Sequence, residues 1–419
     1  MNKIYLTGLL LLTCFGCYAQ HALNLEECYE LAAQHFPVIR QKQLIAQSAD
    51  YTISNINKGI LPQLSLNGQA TYQSEVTSIA VNIPGVKFDA PSKDQYKVYA
   101  DISQPVTELF TVKNQKELAE KNAEISSRNI DVEIYKLRDR INQLYFGVLL
   151  VDEQMKLNAL VESDLDAGKK RVDAAIKNGV DYKSSLDKIK AELIKNNQRA
   201  IELRAQRKAY TDMLGYFLNQ TLDESTRFTM PAVQTINNIN NRPELKVFDN
   251  KNASYLIQHR IINNKNLPRF SLFLQTGAGK PSPLNMVSNS FSPYYIGGIR
   301  VSWSVMGLYT MKNEKSLLLL DKQANDIQKD IFLFNAGITS RQQSNEIVRL
   351  NELIQTDDEL VSLRTSVKTT SGIQLENGII TTSDFIREVN AEDQARQTKL
   401  LHAIQLLMAQ YNLQNTLGN

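Results

Sequence analysis

From residue 63 to about 75 the chain alternates, with Leu64, Leu66, Gly68, Ala70 and Tyr72 on one side and Ser65, Asn67, Gln69 and Thr71 on the other. A period of two predicts a strand. The pattern returns at about 269–279, where Phe270, Leu272 and Leu274 take the places of Leu64, Leu66 and Gly68. Each copy predicts a return strand, at about 95–106 and 294–305. Tyr96, Val98, Ala100 and Ile102 form the apolar side of one, and Tyr295, Gly297, Ile299 and Val301 that of the other. The opposite sides carry Lys97, Asp101 and Ser103, and Arg300, Ser302 and Ser304. Strands of roughly 10–13 residues with one greasy and one wet face are long enough to cross a bilayer at a tilt. The same pattern also fits a half-buried sheet in a soluble domain. The helices that follow the strands tilt the reading towards the membrane.

Between about 112 and 177 there is no proline, and Ala119, Ala123, Ser126, Ile130, Ile134, Leu137, Ile141, Leu144, Val148, Val151 and Met155 recur at steps of four and three. That is a heptad seam. It shifts phase to Val161, Leu165, Gly168 and Val172, a discontinuity that changes local winding. At 1.5 Å per residue such a helix would reach on the order of 100 Å. Asn178-Gly179 ends it, and a second seam over about 183–218 runs through Leu186, Ile189, Leu193, Asn196, Ala200, Leu203, Arg207, Tyr210, Leu214 and Phe217. The later copy repeats this: a helix over about 311–376 with Leu317, Leu320, Ala324, Ile327, Ile331 and Phe334, a break at Asn377-Gly378, and a return over about 383–416 through Leu400, Ile404, Leu407 and Tyr411.

The chain is thus written twice. Pro37 precedes Pro243 by the same 206 residues that separate Leu61-Pro62 from Leu267-Pro268. After the first strand the offset becomes 199, as from Ser103 to Ser302 and from Asn178-Gly179 to Asn377-Gly378. The change falls in segments 76–94 and 280–293, rich in Pro, Ser and Asn, where loop length is free to vary. The predicted organisation is a helix–strand–strand–helix–helix repeat over 20–222, a linker at 223–241, and a second repeat over 242–419.

Composition adds export. Lys3, an apolar run from Leu9 to Leu12 and small or polar residues after it make 1–19 a secretory signal peptide with cleavage after Ala19. Lipidation at Cys14 or Cys17 is the alternative use of this segment. Beyond it only Cys28 remains, a small packed side chain on an amphipathic helix with no disulfide partner. Charges nearly cancel, at 47 basic against 44 acidic residues, so nothing favours nucleic acid as a partner. No later segment supplies the roughly 18–20 apolar residues of a membrane helix. An exported chain of this kind enters a membrane with strands.

Four strands with a lipid-type face leave two open edges, and in hydrocarbon each unpaired backbone group costs several kcal/mol. Four is also below the roughly eight strands that a membrane barrel requires. Several copies must therefore pool their strands into one closed wall, with the helical hairpins continuing it as a tube.

The opening "LNLEECYELAAQHFPVIR" at 23–40, the strand "LPQLSLNGQATY", and the tip segments "KNGVDYKSSLDKIKAEL" and "ENGIITTSDFIREVNAE", in this order and duplicated, resemble the TolC-like outer membrane efflux protein family. Phe36 stands where that family usually has Asn. The resemblance implies a mixed α and β fold: four membrane strands per protomer in a shared twelve-stranded trimeric β-barrel, continued by long antiparallel coiled-coil helices as a periplasmic α-barrel. It implies an exit duct for a tripartite efflux pump or type I secretion system. The expected setting is a homotrimer in outer membrane lipid, working with a periplasmic adaptor (membrane fusion protein) and an inner-membrane transporter of RND or ABC type. It also implies a gate at the periplasmic turns, where acidic residues can ring the pore. Asp384 has a spacing from Gly378 similar to one such ring, and Arg387 stands where a second acid would, able to latch to Asp384 instead. Asp181 and Asp187 are the counterparts at the other tip. Each of these acids fits a helix N-cap or a solvated charge equally well.

Other signals stay bland. "GAGK" at 277–280 lacks phosphate-loop spacing and Pro281 follows it, so it is read as a strand terminus. His21, His35, His259 and His402 have no ligand spacing, so neither a metal nor another cofactor is expected. No catalytic signature is present, and the expectation is no enzyme. Asp357-Asp358-Glu359 reads as a wet helix face. The competing reading of the whole is a periplasmic coiled-coil scaffold or adaptor without a pore.

Overall fold

The structure, a computed structural model, describes residues 22–76, 90–233, 239–285 and 288–419. The signal-peptide expectation for 1–19, with Cys14 and Cys17, lies outside these residues, as do 77–89, 234–238 and 286–287 of the expected loops and linker. In chain order the elements are helix α1 (Leu25–His35), a 3-10 turn (Pro37–Ile39), α2 (Arg40–Lys58), strands β1 (Gln63–Tyr72) and β2 (Asp94–Pro105), and α3 (Glu108–Lys177). Then follow α4 (Lys183–Leu218), α5 (Pro243–Lys265), β3 (Arg269–Lys280), β4 (Ser292–Ser302), α6 (Met306–Glu376) and α7 (Thr382–Leu417). The "GAGK" residues close β3. Among the described residues no helix is long and apolar enough to cross a membrane.

By contacts the chain divides into two compact units, and both draw on both repeats. One comprises Gln41–Asn129 and Glu244–Asp330; the other comprises Met1–Arg40, Ile130–Pro243 and Ile331–Asn419.

The first unit holds an antiparallel meander in the order β1-β2-β3-β4. The register places Leu64 opposite Ile102 and Ile102 opposite Leu274, and Leu66 opposite Ala100. Leu272 in turn faces Ile299. Apolar side chains therefore line up on one face across the sheet. In a soluble half-buried sheet that face would be covered. Here it is open: Leu66 is 80 % exposed, Ile299 70 % and Val98 61 %. The polar face is the knitted one. Tyr294 Oη donates to Gln275 Oε1 at 3.4 Å, Lys97 Nζ lies 3.5 Å from the same oxygen, and Arg300 Nη2 sits 3.4 Å from Asp101 Oδ2. Among the described residues β1 pairs only with β2 and β4 only with β3, so the sheet has two free edges.

The other unit is held by a core in which α1 supplies Leu25, Cys28 and Ala32, α3 supplies Ile141, Tyr145 and Phe146, α4 supplies Leu214 and Leu218, and α7 supplies Ile404 and Tyr411. Asn24 caps α1 by accepting from the Glu27 backbone N–H at 2.8 Å. Tyr145 packs edge-on against Phe228 at 5.5 Å, and its hydroxyl reaches the carbonyls of Leu23 at 2.9 Å and Thr229 at 2.7 Å. The buried phenol thus keeps a polar partner. Cys28 is fully buried there, and burial pushes its thiol up to about 12. Along α3 and α4 the seam position Asn196 is buried because it exchanges amide-to-carbonyl bonds with Asn158, at 3.1 and 3.2 Å. Arg207, also a seam residue, pairs with Asp152 at 2.6 Å.

One expectation needs correcting. Asp357 is not on a wet face: it is buried, and His402 of α7 lies 2.6 Å from its carboxylate. Its neighbour Asp358 is exposed and pairs with Lys399.

Candidate functional site

The two turns that end α3 and α6 are built alike. Gly179 and Gly378 take left-handed φ values of 74° and 70°. Val180 N–H then reaches back to Ala175 O at 2.9 Å, and Ile379 N–H to Gln374 O at 2.8 Å. These bonds satisfy the last carbonyls of each helix, a geometry that only glycine adopts without strain. Asn377 adds a side-chain bond to Ile373 O at 2.9 Å. The "NG" pairs are thus hairpin turns because Asn ends the helix and Gly reverses the backbone.

Beyond each turn the acids are occupied. Asp181 accepts from Ser185 Oγ at 2.7 Å, in place of the absent side-chain cap at Tyr182. Asp384 completes a capping box with Thr381 and accepts from its hydroxyl at 2.7 Å. Arg387 Nη2 lies 3.1 Å from its other oxygen. The Thr381 hydroxyl and backbone N–H, followed by the Arg387 charge, hold the Asp384 carboxyl below its ordinary value. Because Arg387 and Asp384 sit one turn apart on α7, their contact stiffens the start of that helix. Asp187 is exposed and stands apart from this group.

The two tips also meet each other. Lys188 Nζ donates to Ser383 Oγ at 2.8 Å, and Thr382 Oγ1 lies 3.5 Å from Asp181 Oδ2. Behind them α3, α4, α6 and α7 share a core of Val161, Leu165, Val172, Ile189, Leu375, Phe385, Ile386 and Val389. The fit is close: a Cβ on Gly168 would stand 2.6 Å from the Phe385 ring.

Further along, a charge cluster ties three helices. Lys368 of α6 lies 2.8 Å from Asp164 of α3 and 2.9 Å from Glu392 of α7. Glu392 also accepts from Thr365 at 2.7 Å and Arg396 at 2.7 Å, with its side chain only 3 % exposed. Burial alone would raise the Glu392 carboxyl, but bonds from Lys368, Thr365 and Arg396 outweigh it and hold the group low. Burial would likewise lower Lys368, but Asp164 and Glu392 hold its ammonium above the usual value. Arg199 of α4 joins α7 nearby, 2.7 Å from Asp393. Among the described residues no cluster suits a metal ion.

Residue-by-residue reading of the sequence missed Lys188, Ser383, Asp164, Lys368 and Glu392. Glu392 left one trace, since it falls on the apolar step that runs through Phe385 and Val389. A charge on a buried seam asks for partners.

Comparison with known proteins agrees with this architecture. Residues 28–214 match the family of outer membrane efflux proteins. No curated protein sequence matches the chain. Among solved structures, CusC superposes with a TM-score of 0.71 at 12% identity, covering 94% of this chain and 92% of that one. The outer-membrane channel OprN gives 0.69 at 14% identity, covering 94% and 89%. The open state of the MtrE outer membrane channel of Neisseria gonorrhoeae gives 0.67 at 14% identity, again covering 94% and 89%. At such identities these structures speak for the fold. The sequence match takes in the first strand pair and the first helical hairpin, so this part of the chain is similar to outer membrane efflux proteins, and over 94% of its length the chain has the fold of these outer-membrane channels.

Proposed function

We propose that three copies of the chain pool their strands into a twelve-stranded barrel and their long helices into a periplasmic tube. The assembly serves as the passive exit duct of a tripartite efflux pump or a type I secretion system. The observation that carries this reading is the four-stranded sheet with two free edges and an open apolar face. In a bilayer those edges need partners, and copies of the same chain supply them in register. The energy for transport comes from an inner-membrane transporter of RND or ABC type, reached through a periplasmic adaptor that docks at the tips. In the test, outer membranes are extracted with detergent and the protein's mass is measured by light scattering. A trimer is expected; a monomeric, water-soluble periplasmic pool would end the proposal.

The gate in this reading is the pair of helix tips, turning at Asn178-Gly179 and Asn377-Gly378. Asp384 of each copy faces the passage near its periplasmic mouth, where it favours cations, while Thr381 and Arg387 fix its position. Asp181 and Asp187 border the same mouth. That MtrE has been solved in an open state supports a duct of this fold having more than one state. Single-channel recording of Asp384→Asn is expected to give a weaker preference for cations, and unchanged selectivity would remove Asp384 from the mouth.

A further inference from the structure

We propose, on the conduit reading above, that Lys97 makes the strand-lined end of the passage attract solutes bearing carboxylate or phosphate groups. The polar face of the sheet carries four charged side chains: Lys97, Asp101, Arg269 and Arg300. Two of them answer each other, with Arg300 3.4 Å from Asp101. Arg269, at the foot of β3, shares a cleft with Glu108 and Lys265. Among the described residues Lys97 has no such counter-charge. Among the described residues its contacts are all uncharged: Gln275 Oε1 at 3.5 Å, the Tyr99 ring at 4.6 Å and the Tyr294 ring at 5.1 Å.

These neighbours hold the ammonium without neutralising it. Ring faces attract a cation through their quadrupole and leave its net charge intact. Tyr294 is 5 % exposed, so that ring is fixed in the wall. The residues directly across from Lys97 are Gln69 on β1, which is uncharged, and Gly279 on β3, which has no side chain to cover the ammonium. In a closed barrel every copy would place this lysine at the same height. A low-dielectric wall around narrow water then focuses the summed field on whatever passes. The strand end thus carries a positive collar, opposite in sign to the acids of the tips.

The test is the reversal potential of the full chain, reconstituted in planar bilayers under a KCl gradient, compared among Lys97→Arg, Lys97→Gln and Lys97→Glu. The tips are the same in all three, so differences belong to the strand wall. Lys97→Arg is expected to keep the wild-type chloride-to-potassium permeability ratio. Lys97→Gln should lower the ratio about two- to threefold, and Lys97→Glu should lower it further. Conducting channels whose ratio ignores residue 97 would overturn this inference and spare the conduit. Absence of conductance from folded, membrane-extracted protein would overturn the conduit, and this inference with it.

Discussion

Leu66→Arg is expected to keep the protein out of the outer membrane while leaving its helices formed. Leu66 lies on the apolar side of β1, opposite Ala100, and is 80 % exposed. If that side meets lipid, an arginine there costs about 2–4 kcal/mol near the bilayer midplane. The penalty recurs in every copy of the assembly. The control is one residue away. Asn67 points to the other face, beside Tyr99, and Asn67→Arg should assemble normally because a charge facing water costs little. Fractionation of membranes after a urea wash reads the difference, with at least a tenfold loss expected for Leu66→Arg alone. Equal assembly of the two variants would mean that the exposed apolar face is covered by protein rather than lipid. A one-residue shift along a strand exchanges the faces, so the pair tests the register as well.

The second large effect is expected at Glu392→Gln. The carboxylate accepts from Lys368, Thr365 and Arg396 and is almost fully enclosed. Neutralising it leaves Lys368 with Asp164 alone and Arg396 without its acid. The loss is about 2–3 kcal/mol, less than for a fully dry pair because Arg396 keeps contact with water. Thermal unfolding followed by circular dichroism measures it. In the proposed gate the same change removes the polar tie between α7 and α6 and leaves their shared apolar core, so tip opening and conductance should rise. Acid should act in the same direction. A carboxyl held low in the folded state contributes stability that is present above its ordinary value of 4.5 and lost as pH falls through the lower folded value. Lys368, held high, keeps its share below its ordinary 10.5 and loses it only as pH rises beyond that. Stability of this cluster is therefore full at neutral pH and fades under acid. The part owed to Glu392 should vanish from the pH profile of Glu392→Gln, and an identical profile would refute the assignment.

Local rules made much of this legible. The alternation of Leu64 to Tyr72 is a strand because period two is all that puts those side chains on one face. Asn178-Gly179 and Asn377-Gly378 are turns because glycine alone enters the left-handed region freely. What stayed hidden depends on distant partners. Lys368 and Asp164 are 204 residues apart, and no spacing in the chain announces that they meet. Asp357 looked wet because it sits in an acidic run, and only the packing of α7 brings His402 to it. Asp384 was legible as a residue near a turn, but the hydrogen bonds that tie it to Thr381 belong to the folded helix start. That several copies share one wall follows from unpaired edges, which is a statement about what backbone needs in lipid and not about any one residue; the number three comes from the family resemblance alone.

The two compact units share out the repeats rather than keeping one each, and this bears on biosynthesis. Cys28 packs in the same core as Tyr411, 383 residues further along the chain. Contacts of such separation form slowly, after the intervening loop has closed. The core can close only when the segments around Cys28 and Tyr411 are both present, so folding of this unit waits for the chain between them to be made. A cut between the two repeats would leave two fragments, each lacking the other's contribution to both units.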